Sequence, residues 1–130
     1  MTTLTRILMV DDDISAARLL KLGLEATGTY AVREVNKPRD SLAAAREFHP
    51  DLIILDVNMP DMTGGEVAGQ FRKDPLLSEV PIIFLTAIIS QREAGDTGLV
   101  SGGYRFLAKP VHCAKLIEMI QTIMAGGGVH

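Results

Sequence analysis

The 130-residue chain has a single cysteine, no excess of basic residues and no long apolar run. Cys113 has no partner for an internal disulfide, which suits a reducing compartment and predicts a cytoplasmic protein. It reads most simply as a small, buried apolar residue. The 13 Lys and Arg against 16 Asp and Glu leave a net charge of −3, so no basic field invites nucleic acid or an anionic membrane surface. The longest apolar runs, such as Pro81 to Leu85, are strand-sized, far below the roughly 20 residues a membrane-spanning helix needs. Met1 to Arg6 lacks the apolar centre of an export signal. The length and a hydrophobic fraction of 47% suit one core, so the expected organisation is a single domain over 1–125 and a flexible Gly-rich tail over 126–130.

Apolar runs and helical patterns alternate along the chain. Ile7 to Val10 is a continuous strand-like run that ends in Asp11-Asp12-Asp13. A helix follows, with Ser15 as the expected N-cap, Ala16, Leu19, Leu20 and Leu24 on one face, and Gly28 as its stop. Tyr30 to Val35 alternates and predicts a second strand nearer an edge. Ser41 to Phe48 is Ala-rich and helical, and Leu52 to Leu55 is a third strand closed by Asp56. A turn-rich loop from Met59 to Gly65 leads to a short helix, Glu66 to Lys73. Val80 to Leu85 predicts a fourth strand ending at Thr86, and Tyr104 to Ala108 a fifth ending at Lys109-Pro110. The last helix carries Cys113, Leu116, Ile117, Ile120, Ile123 and Met124 at helical spacing. Between Ile88 and Gly103 a helix is expected, although Gly95, Gly98, Gly102 and Gly103 lower its propensity. That glycine content predicts a mobile segment that orders on phosphorylation or partner binding.

Five such units with continuous apolar strands imply a parallel α/β sheet covered on both faces. Ligands of such sheets sit beyond the carboxyl ends of the strands. The polar residues gather at those ends: Asp11 and Asp12, Asp56, Thr86 and Lys109. Carboxylates at one crevice repel each other and call for a cation. Magnesium takes oxygen ligands and usually binds one or two carboxylates plus a phosphate. Asp56 is then also placed as a nucleophile, because carboxylates form aspartyl phosphates. Phosphoryl transfer needs positioning and charge neutralisation, which a metal, Lys109 and Thr86 could supply. Asp13 reads more simply as a helix-capping acid.

The chain resembles the receiver domain of bacterial response regulators. The resemblance rests on Leu8-Met9-Val10-Asp11-Asp12, Leu55-Asp56-Val57-Asn58-Met59-Pro60-Asp61-Met62, Gly64, Phe84-Leu85-Thr86-Ala87 and Phe106-Leu107-Ala108-Lys109-Pro110. It covers nearly the whole chain in order. It implies a flavodoxin-like sheet of five parallel strands in the order 2-1-3-4-5. It implies Asp56 as phosphoacceptor, and Mg²⁺ held by Asp11, Asp12, Asp56 and the backbone carbonyl of Asn58. It further implies Thr86 and Lys109 as phosphoryl contacts and Phe106 as an aromatic switch moving with Thr86. Ala87 would leave access open, and Asn58 and Ile88 would flank the attacking water. Ile88 cannot activate water, so a long-lived phosphoryl group is expected. A cis Lys109-Pro110 bond is implied as well. The implied partners are a histidine kinase or histidine phosphotransfer protein and a downstream protein target. The target would meet the face formed by the fourth helix, fifth strand and last helix of a monomer or weak dimer. Thr63 stands where many receivers have an acid, and Val111 where many have an aromatic.

Two rival functions have sequence support. A receiver that binds partners without useful phosphorylation would keep the fold alone. A haloacid-dehalogenase-like phosphatase would use Asp11 as nucleophile and Asp13 as acid/base, followed by Ser15. That class needs an acidic pair after the lysine, and only Glu118 follows Lys109. A flavin-binding reading fails because the loop after the first strand is triply acidic, not Gly-rich and hydroxylated.

Overall fold

The structure is a computed structural model that describes residues 3–87, 99–101 and 104–126. Its strands are β1 (Thr5–Val10), β2 (Tyr30–Val35), β3 (Leu52–Asp56), β4 (Ile82–Thr86), β5 (Leu99–Ser101) and β6 (Tyr104–Ala108). The described helices are α1 (Ile14–Glu25), α2 (Ser41–Phe48), α3 (Gly64–Lys73) and α4 (Cys113–Met124). The sheet order is β2-β1-β3-β4-β6-β5. The pairs β1–β2, β1–β3, β3–β4 and β4–β6 are parallel, which gives the five strands and the order expected. The sheet then continues by one short strand, β5, antiparallel to β6.

β5 departs from the helix expected across Ile88 to Gly103. Two glycines, Gly102 and Gly103, separate it from β6, a residue choice that favours a tight hairpin over a helix. The rest of that expected helix, its expected mobility and the call on Ile88 fall outside the described residues, as do residues 127–130 of the expected tail.

Successive strand residues point to opposite faces, so the uninterrupted apolar runs feed two cores. Ile7, Met9, Ile54, Ile83 and Leu107 pack on one face against α1 and α4. Leu8, Val10, Ile53, Leu55 and Phe84 pack on the other against α2 and α3. Every residue of β3 and β4 is buried, including the terminal Asp56 and Thr86. The sheet therefore delivers these polar groups to an edge of the core with little freedom left.

α1 begins two residues earlier than a Ser15 cap would allow. Asp13 is the N-cap: its backbone is extended, and its carboxylate accepts from the Ala16 N–H at 3.1 Å. Ser15 already lies inside the helix. The buried stripe of α1 is Ala17, Leu20 and Leu24, and Leu19 is 71% exposed. α4 packs closely on α1, since a Cβ on Gly23 would meet the Cys113 Sγ at 2.7 Å. Cys113 is half-buried, and burial pushes its thiol pKa up. α3 starts at Gly64, two residues before the expected start. Thr63 and Glu66 form a reciprocal capping box, with Thr63 Oγ1 accepting from the Glu66 N–H and Glu66 accepting from the Thr63 N–H. Thr63 thus shapes the loop and stands apart from the acidic cluster. No helix among the described residues is long and apolar enough to cross a membrane.

Candidate functional site

β1, β3, β4 and β6 bring Asp11, Asp12, Asp56, Thr86 and Lys109 to one end of the sheet. Asp11 is 1% exposed and Asp56 3% exposed, whereas Asp12 is open to solvent. Each of the three offers a carboxylate oxygen within 4.8 Å of the others. The Lys109 Nζ lies 3.1 Å from Asp56 Oδ1 and 3.8 Å from Asp11 Oδ2. The Lys109-Pro110 peptide is cis, as the resemblance implies. Thr86 is buried at the end of β4, one residue beyond Leu85, which pairs with Asp56 in register. Ala87 is exposed beside it.

The backbone presses close around Asp56. The Asn58 N–H donates to Asp56 Oδ1 at 3.2 Å. Gly64 fits under this turn because it has no side chain; a Cβ there would lie 2.5 Å from the Asp56 carbonyl oxygen. Asp11 Oδ1 accepts from the Asp13 N–H at 2.9 Å, while Asp11 Oδ2 is buried with no hydrogen-bond partner among the described residues. Burial pushes the Asp11 pKa up to about 6, and the neighbouring Asp56 charge acts in the same direction. The Asp13 N–H and Lys109 oppose that rise.

A buried carboxylate oxygen without a donor, inside a set of three acids, has an incomplete charge environment. One lysine spread between Asp11 and Asp56 does not complete it. The donor set is all oxygen and suits a hard divalent cation. A groove of about 460 Å³ opens beside the cluster, lined by Asp11, Leu19, Lys109, Pro110 and Val111 among others.

Phe106 is half-buried on β6, so it is neither a plain core residue nor a free one. It stacks on Phe84, with ring centroids 5.1 Å apart and planes at 20°. Tyr104 meets the same Phe84 edge-on at 5.1 Å. The Arg72 guanidinium lies over Tyr104 and donates to the carbonyls of Ser78 and Val80 at 2.9 Å.

Asp13 does not join the cluster as a catalytic acid; its carboxylate is committed to the α1 cap. One residue that sequence reading missed is Asn36, whose side-chain amide donates to the Asp11 carbonyl at 3.0 Å. The readable signal was an amide at a strand end, just before the Lys37-Pro38 break.

The response regulator receiver domain model matches residues 7–121. The chain belongs to that family, the receiver domains of two-component systems. It is 30% identical over 119 residues to the DNA-binding dual master transcriptional regulator RpaA of Synechocystis, covering 92% of this chain and 48% of that protein. It is 35% identical over 120 residues to the response regulator PleD of Caulobacter vibrioides, covering 91% of this chain and 26% of that one. The chain thus spans half or less of these relatives. Among solved structures, the Vibrio cholerae chemotaxis protein CheY4 is similar at 32% identity and a TM-score of 0.79, covering 93% of this chain and 99% of that one. Nothing in these likenesses supports the haloacid-dehalogenase alternative.

Proposed function

We propose that Asp56 accepts a phosphoryl group from a phosphohistidine on a histidine kinase or histidine phosphotransfer protein. The observation that carries this is the pairing of Asp56 with Lys109 at 3.1 Å inside a cluster of three acids at one sheet end. An Asp56 carboxylate oxygen forms the new bond to phosphorus. The phosphorus–nitrogen bond breaks, and the histidine nitrogen keeps its electron pair. Lys109 stays beside the group to balance its charge, and the Thr86 hydroxyl donates to a phosphoryl oxygen once transfer is complete.

Asp11, Asp12, Asp56 and the Asn58 carbonyl would hold Mg²⁺, and the buried Asp11 Oδ2, which has no hydrogen-bond donor among the described residues, fits that assignment. When bound, the ion offsets the charge of the acids and of the transferring oxygens. The fold unit doing this is residues 1–125, acting in the cytoplasm as a monomer or weak dimer. Its chemistry is limited to self-phosphorylation and slow self-dephosphorylation. Movement of Thr86 carries Phe106 inward and changes the face offered to a downstream protein.

The test is intact mass after incubation with acetyl phosphate and Mg²⁺. Wild type should gain one phosphoryl group, and lose that gain in EDTA and in Asp56→Asn. No gain from acetyl phosphate or from phosphorylated donor proteins would favour a receiver that only binds. A gain kept in Asp56→Asn and lost in Asp11→Asn would overturn the assignment.

A further inference from the structure

Asp12 is a carboxylate of the cluster that is open to solvent, unlike buried Asp11 and Asp56. Its direction therefore depends on the backbone that carries it. That backbone is the peptide plane joining Asp11 to Asp12. The Asp11 N–H donates to the Val35 carbonyl at 3.0 Å, the last rung between β1 and β2. Beyond that rung the segment after β2 turns away through Lys37-Pro38 into a short 3₁₀ turn, Pro38–Asp40. The Asn36 side chain takes over, and its amide donates to the Asp11 carbonyl at 3.0 Å. A rotation of the Asp11–Asp12 peptide plane, which would swing Asp12, must break this bond. Asp11 itself is held twice more, by burial and by the Asp13 N–H on its carboxylate.

We propose that Asn36 is a positioning residue that aims Asp12 at the cation by clamping the Asp11–Asp12 peptide. This rests on the reading of Asp11, Asp12 and Asp56 as the cation site, and it adds the residue that directly follows β2, a strand that contributes no ligand. Asn36 touches neither the cation nor the phosphoryl group. A neutral hydrogen bond of this kind is worth about a fivefold change in an equilibrium constant.

The experiment is a double-mutant cycle on Mg²⁺ affinity, followed by amide shifts in a titration of the full chain without any phosphodonor. Asn36→Ala should weaken Mg²⁺ binding about fivefold in the wild-type background. In Asp12→Ala, where there is no carboxylate left to aim, Asn36→Ala should weaken it by less than about twofold. At saturating Mg²⁺, the acetyl phosphate reaction of Asn36→Ala should return to within about twofold of wild type. Equal losses in both backgrounds would overturn the proposal, because Asn36 would then support the fold without acting through Asp12. Unchanged Mg²⁺ affinity in Asn36→Ala, or a rate defect that persists at saturation, would overturn it too. If Asn36→Ala does not fold, Asn36→Leu carries the same cycle, since it fills the same space without a donor. Wild type that fails to bind Mg²⁺ at all would remove the cation site, and this proposal with it. Wild type that binds Mg²⁺ while Asn36→Ala behaves identically would remove the clamp alone.

Discussion

Replacing Asp11 by Asn should stabilise the metal-free protein at neutral pH. Asp11 is an acid whose folded pKa, about 6, lies above its ordinary value of 3.8. The folded state therefore binds the proton more tightly than the unfolded chain. Stability associated with Asp11 is present below the unfolded value and is lost as pH rises through about 6. The difference of about two units corresponds to as much as ~3 kcal/mol at pH 7.5, because one unit is worth 1.36 kcal/mol. At pH 4 little of that cost remains by the same linkage. An Asn side chain keeps the oxygen that accepts from the Asp13 N–H and carries no charge. Urea unfolding in EDTA, followed by circular dichroism, should find Asp11→Asn more stable than wild type by about 1–3 kcal/mol at pH 7.5. At pH 4 the two should nearly coincide, and other titrating groups cancel in the comparison. Saturating Mg²⁺ at 100 times its Kd should stabilise wild type by about 2.7 kcal/mol and the variant by much less. A variant less stable than wild type at pH 7.5 without metal, or a gap that ignores pH, would refute the reasoning.

Three further outcomes can be checked. Ile88→Glu should shorten the lifetime of the aspartyl phosphate, read by intact mass over time, since a carboxylate can orient water and an isoleucine cannot; an unchanged decay would reject the place that the family resemblance gives this residue. Gly64→Ala should destabilise by about 1–3 kcal/mol and slow phosphorylation, because its Cβ would lie 2.5 Å from the Asp56 carbonyl oxygen; chemical unfolding and acetyl phosphate rates report the two effects. Ser41→Ala should leave stability equal or higher by up to about 1 kcal/mol, because the buried Ser41 Oγ has no hydrogen-bond partner among the described residues; a loss larger than that in thermal unfolding would show that the hydroxyl is satisfied.

The strands were readable because parallel strands buried on both faces leave continuous apolar runs, as in Leu52 to Leu55 and Ile82 to Leu85. The site was readable for the same reason: each of its members follows such a run directly, so chain order alone sets its height in the sheet. Helix ends were less legible. Asp13 and Ser15 are both capping residues, and only the extended backbone at Asp13 separates them. Leu19 has the spacing of a core residue, yet the sheet meets the stripe of Ala17, Leu20 and Leu24. Thr63-x-x-Glu66 was a readable capping box that moves the start of α3 upstream. The ion pair between Arg46 on α2 and the buried Asp74 joins residues far apart in sequence, and no local pattern announces it. Asp74 is held below the ordinary carboxylate range by the Leu76 N–H and by Arg46, so it works as a structural acid away from the cluster.

The proposed switch can be weighed against the packing it must disturb. Phe84 and Thr86 stand two residues apart on β4, so they share a face of the sheet. Phe84 pairs in register with Phe106, and Thr86 with Ala108. A pull on Thr86 thus acts on the strand position next to the Phe84–Phe106 stack. Giving up that stack costs about 0.5–1.5 kcal/mol beyond the area it buries. A hydrogen bond from a hydroxyl to a charged phosphoryl oxygen contributes about 1.5–3 kcal/mol. The stacking contribution and the new bond are of the same order, so neither state of the face is locked, as a switch that one phosphoryl group sets and its loss resets requires. The same Phe84 ring also touches Tyr104, which lies under Arg72, and Arg72 holds the carbonyls between α3 and β4. A rearrangement at Phe106 has a packed route to that loop as well as to the β6 face. The partner-facing consequence of phosphorylation should then extend to both.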